Sequence, residues 1–110
     1  MGASRLDFHV LLALASGALH GYAIAERVAA ESAGMLRPRA GSLYRVLARL
    51  ISEGLVAESD GEAEVPHPGL ARRYYTLTAA GRRTLGEEAN RLKQAAAMAE
   101  KRLGLARGRS

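Results

Sequence analysis

Six side chains between residues 37 and 49 are of the types that hold a phosphodiester backbone or a base edge: Arg37, Arg39, Ser42, Tyr44, Arg45 and Arg49. A guanidinium grips a phosphate or a guanine edge with two parallel hydrogen bonds, and serine and tyrosine hydroxyls donate to phosphate oxygens. No acid lies between residues 35 and 50 to oppose them, whereas 52–64 carries Glu53, Glu58, Asp60, Glu62 and Glu64 with no base. Positive charge returns at Arg72 and Arg73, which suit backbone contacts, although strand neighbours face opposite sides and only one of the two can point at a given surface. The whole chain has 16 Lys and Arg against 11 Asp and Glu, a formal net charge of +5 that suits double-stranded DNA. Lysine occurs only at positions 93 and 101, so the forked arginine head group dominates.

Catalytic chemistry has little to build on. The absence of cysteine removes disulfides, thiolate metal sites and a thiol nucleophile. His9, His20 and His67 share no metal-ligand spacing, and neither a glycine-rich phosphate loop nor a nucleophile elbow is present. Neither enzymatic activity nor a cofactor is expected. His9 falls on the first helix, His20 is expected to cap the second through a ring nitrogen, and His67 is expected to be solvated between Pro66 and Pro68. Met35 and Met98 read as gap-filling core or interface residues. No apolar run reaches membrane-spanning length, and the first residues, MGASRLDFHV, lack the basic start and long apolar stretch of a secretion signal. A cytoplasmic location with no membrane partner is the expectation.

The elements that must position these residues follow from periodicity. At 110 residues with 48% hydrophobic and 25% charged side chains, the chain suits one globular domain. Ser4 and Asp7 are spaced as a capping box for a first helix, apolar on most of its circumference, ending near Ser16-Gly17. A second helix is predicted from about His20 to Glu31, with Tyr22, Ala25, Val28 and Ala29 on one face and Gly34 breaking it. Met35–Arg39 is a short extended link. Leu43, Val46, Leu47, Leu50 and Ile51 then recur at the spacing of a buried helical stripe. Ser42, Arg45, Ala48 and Arg49 occupy the opposite face, and Gly54 stops the helix. Such a face is either a DNA-reading surface or an ordinary solvated helix with two arginines. Leu55–Ser59 and Arg72–Leu77 read as a hairpin around a tip rich in Pro and Gly. Thr78 caps a long last helix, and the tail GLARGRS is basic.

The last helix carries a second pattern. Leu85, Ala89, Leu92, Ala96, Ala99 and Leu103 alternate spacings of four and three, a heptad seam that either meets a second copy or packs back on its own domain. The dimer is the expected arrangement.

HGY at 20–22, GSLYRVLARL at 41–50, EGLV at 53–56 and RRYYTLTAAGR at 72–82 together resemble the PadR family of bacterial transcriptional regulators, in order and spacing over about residues 6–85. The resemblance implies a homodimer joined by the C-terminal helix, repressing nearby genes until a small-molecule inducer releases it. It also implies that Tyr44 contacts DNA, the other reading of Tyr44 being a brace for the second helix. Two departures stand out. Ala40 occupies the place where the family often has proline, and no aromatic residue follows Tyr75, so the ring stacking of multidrug-sensing members has no counterpart.

The expected fold is therefore mainly α with a small β-hairpin. Residues 1–78 form a winged helix-turn-helix that inserts residues 41–53 into the major groove of a palindromic operator, and residues 79–110 form a long C-terminal dimerisation helix with a short tail. The competing reading is a winged-helix protein–protein interaction module without DNA binding, suggested by the acids of the first hairpin arm.

Overall fold

The computed structural model describes residues 5–60 and 73–105. Its elements are α1 (Arg5–Ala13), a single 3-10 turn (Leu14–Ser16), β1 (Leu19–His20), α2 (Gly21–Glu31), α3 (Ala40–Ser52), β2 (Val56–Asp60), β3 (Arg73–Leu77) and α4 (Ala79–Leu103). Mainly helical with a small antiparallel sheet, this is the winged-helix architecture expected from the periodicity.

The sheet has three strands in the order β1-β3-β2, where the sequence reading expected two. Leu19 pairs with Tyr75 and His20 with Tyr74, while Val56 pairs with Leu77 and Glu58 with Tyr75. A two-residue strand is too short to show a period, which is why β1 was not legible. The Leu55 N–H is occupied in closing α3, so β2 begins one residue later than predicted.

That closure is a Schellman motif. Gly54 takes a left-handed φ of 79°, its N–H donates to the Ile51 carbonyl, and the Leu55 N–H donates to the Leu50 carbonyl. The end of α2 uses the same device, with the Ala33 N–H on the Ala30 carbonyl and the Gly34 N–H on the Ala29 carbonyl. Here the left-handed residue next to the helix is Ala33, at φ 56°. An L side chain in that region is strained by about 1–2 kcal/mol, partly offset by the larger unfolded-state entropy of glycine. Ala33→Gly is therefore expected to stabilise the protein by about 0.5–1 kcal/mol, seen as a higher midpoint in thermal unfolding. A lower midpoint would mean that the turn carries no strain.

The core draws Val10, Leu11 and Leu14 from the first helical segment, Ile24 and Val28 from α2, Leu43, Leu47 and Leu50 from α3, and Val56, Tyr75 and Leu77 from the sheet. Burial raises the pKa of the Tyr75 hydroxyl, with nearby Glu58 adding to the shift. The buried face of α2 is Gly21, Ile24 and Val28, which corrects the predicted face. Tyr22 is 70% exposed and its hydroxyl is bonded to Glu26, which raises its pKa. Met35 is likewise exposed, so it does not fill the core.

The first residues of α4 are fastened to the end of α3. Thr78 accepts the Gly81 N–H at 2.9 Å as N-cap, donates its own hydroxyl to the Gly54 carbonyl at 2.6 Å, and gives its N–H to the Leu55 carbonyl at 3.1 Å. Gly81 is buried and Leu85 packs on the core, but no residue from 86 to 105 is buried.

Candidate nucleic-acid interface

With Leu43, Leu47 and Leu50 turned into the core, α3 presents Tyr44, Arg45, Ala48 and Arg49 to solvent and Ser42 in part. Its N-terminus differs from those of α2 and α4. His20 Nδ1 accepts the Ala23 N–H at 3.3 Å, as expected, and Thr78 caps α4. At α3 the N-cap is Arg39, which makes no side-chain cap. The first-turn N–H groups of any helix lack an intrahelical acceptor, and together with the helix dipole they favour an anion. Gly41 in that turn is exposed, and Arg37 and Arg39 are exposed on the link that leads into it.

Tyr44 sits where both of its readings meet. It is 49% exposed, yet a Cβ placed on Gly21 would stand 2.6 Å from its hydroxyl, so the ring lies against the start of α2. Arg45 is exposed, and its guanidinium reaches Ser42 Oγ only at a long 3.4 Å.

Arg49 departs from the sequence reading. Its Nη2 donates to Asp7 Oδ1 at 2.6 Å, and its Nη1 lies 3.6 Å from Glu53 Oε2. The Asp7 carboxylate raises the arginine pKa still further, against a smaller opposing effect of burial. Instead of standing free one turn beyond Arg45, this guanidinium is held by α1. Asp7 itself, read from sequence as a capping-box acid, is buried. Its proposed partner in that box, Ser4, lies outside the described residues. The one signal that pointed to a long-range role for Asp7 was its place inside an otherwise apolar run.

The hairpin also differs from expectation. Arg73, whose register partner is Asp60, forms a diagonal ion pair with Glu58, so its charge is matched within the hairpin. Arg72, Glu62, Glu64 and His67 lie outside the described residues.

Along α4, the seam residues Ala89, Leu92, Ala96, Ala99 and Leu103 are exposed on the single chain. Leu85 packs against its own core, so the free seam begins one position later than predicted. Met98 adds exposed apolar surface to the same helix. Among the described residues, no helix is long and apolar enough to cross a membrane.

Comparison with known proteins bears on this geometry. The sequence matches the Transcriptional regulator PadR-like family over residues 10–87, a span that includes α2, α3, the sheet and the start of α4. An uncharacterized 37.1 kDa protein in transposon TN4556 of Streptomyces fradiae is 42% identical over 81 residues, which are 74% of this chain and 21% of that protein. The chain thus spans about a fifth of the length of that curated relative. A PadR family transcription regulator from hypervirulent Clostridium difficile superposes with a TM-score of 0.75 at 21% identity, over 91% of this chain and 99% of its own. Bacillus subtilis PadR, solved in complex with operator DNA, superposes with a TM-score of 0.66 at 25% identity, over 76% of this chain and 46% of its own.

Proposed function

The chain belongs to the PadR-like family of transcriptional regulators, and from that premise we propose that it is a homodimeric, sequence-specific DNA-binding repressor. The observation that carries this reading is α3. Its apolar stripe is buried, its outer face presents Arg45 with no acid on the helix itself, and its first turn is left without a side-chain cap. A helix presented in this way fits the major groove with its N-terminal half at the bases. The likeness to Bacillus subtilis PadR, whose structure holds operator DNA, supports the same placement.

In this reading Arg45 reaches a base edge, Ser42 and Tyr44 donate to phosphate oxygens, and Arg37, Arg39 and Arg72 flank them on the backbone. Two copies joined through Ala89, Leu92, Ala96, Ala99 and Leu103 would present two such helices to a palindromic site. Release by a small-molecule inducer is part of the proposal. Because α4 has no aromatic residue, a planar inducer would find no ring to stack on there. The proposed location is the cytoplasm.

Arg45→Ala is expected to weaken the specific site by about 1–3 kcal/mol and to relax preference at one base position. Titration of labelled duplexes at several salt concentrations measures both affinity and the number of phosphates neutralised, since log K falls with log salt by about 0.9 per phosphate. Absence of duplex binding at low salt, or binding without a salt slope, would reject DNA as the partner and favour a protein-interaction module.

A further inference from the structure

Two acids bracket one arginine at the far end of the DNA-facing helix. Asp7, on α1, and Glu53, just past α3, both face the Arg49 guanidinium, so this corner presents no net positive charge to a phosphate. The two ends of the 2.6 Å contact differ in exposure. The Asp7 side chain is 4% exposed and that of Arg49 is 42% exposed. A buried carboxylate gains from a counter-charge at hydrogen-bond distance, and turning Arg49 outward to DNA would give up that contact. The pair also joins residues 42 apart in sequence, and α1 packs on both α3 and α4.

We propose that Arg49 is a positioning residue, which with Asp7 fixes the seating of α3 on α1 so that Arg45, Ser42 and Tyr44 meet the groove in register. This rests on the DNA-binding reading above. Besides its buried leucine stripe, α3 is then tied at two points along its length. Tyr44 lies against Gly21 in its first half, and Arg49 is bound to Asp7 in its last turn. The stripe of Leu43, Leu47 and Leu50 seats the helix on the core, and the two separated attachments fix its rotation and tilt about that stripe. Base readout needs that definition, because a displacement of about 1 Å is enough to break bidentate geometry.

The test uses a duplex enriched from a random pool by the full-length wild-type protein. Binding is measured at a temperature where thermal melts show every variant to be folded. Asp7→Asn leaves the arginine in place and removes the negative charge that faces it. If Arg49 positions the helix, Asp7→Asn should weaken binding about tenfold with an unchanged salt slope. Arg49→Gln should weaken it similarly, the double variant should be no worse than the poorer single, and Arg49→Lys should recover most of the loss.

Tighter binding by Asp7→Asn would mean that the acid restrains a DNA contact, and would overturn the proposal. So would unchanged affinity in both single variants, or an Arg49→Gln slope lower by about 0.9 while Asp7→Asn binds normally. If Asp7→Asn does not fold, the comparison of Arg49→Lys with Arg49→Gln decides: recovery by lysine at an unchanged slope supports positioning, and equal loss in both overturns it. A wild-type protein that enriches no duplex removes the DNA-binding reading and the positioning role with it, a result distinct from every variant outcome.

Discussion

Gly81→Ala is expected to destabilise the protein by about 3 kcal/mol or more, lowering the unfolding midpoint by roughly 10 °C or more. A Cβ at this position would press well inside van der Waals contact of the Leu55 carbonyl oxygen, 3.0 Å from the Leu55 carbonyl carbon and 3.2 Å from Leu77 Cδ2. Two of these atoms are backbone and cannot swing aside. Moving α4 away would break the Thr78 bonds to Gly54 and Leu55 that fasten the helix. Gly86 supplies the control on the same helix, since a Cβ there meets nothing within 4 Å. Gly86→Ala should stabilise by about 0.5–1 kcal/mol through helix propensity alone. Circular-dichroism melts of the two variants measure the difference, and equal midpoints would show that α4 is free to lift from Leu55.

Leu92→Glu is expected to convert the proposed dimer to monomer and to reduce binding to a two-half-site operator by a hundredfold or so, because linked half-sites gain about 10²–10⁴ in avidity. On the single chain Leu92 is 41% exposed, and no residue around it on α4 belongs to the core. The substitution should therefore leave the fold of the protomer intact while placing a carboxylate on each side of the seam. Sedimentation velocity gives the association state, and melts confirm folding. A dimer that persists in Leu92→Glu would place the interface elsewhere.

The winged-helix order, the stripe of α3, the stop at Gly54, and the caps at His20 and Thr78 were all legible in the sequence, because each depends on neighbours within a few residues. What was not legible depends on partners far along the chain. Arg49 looked outward by helical spacing and was correctly placed on the outer face, but the acid that holds it comes from α1. Arg73 was grouped with Arg72 as suiting backbone contacts, although Glu58 on the neighbouring strand pairs with its charge. Tyr22, Ala25, Val28 and Ala29 were grouped on one face of α2, whereas the core takes Ile24 and Val28, with Gly21 leaving room for Tyr44. Leu85 obeys the heptad spacing and yet serves its own domain, because periodicity gives a face and not its owner.

The 25 residues of α4 make a rod of about 37 Å, and Thr78, Gly81, Arg82 and Leu85, which attach it to the rest of the protein, all lie at one end. Such a rod is a lever with a short, stiff hinge. A tilt of about 10° at the hinge would carry the far end roughly 6 Å, close to two base-pair steps of B-DNA. If two copies grip each other along the distal arm, the separation of their reading heads is governed by hinge angle more than by any residue that touches a base. Tolerance for the gap between half-sites would then track the stiffness of the few contacts that seat the first two turns of α4.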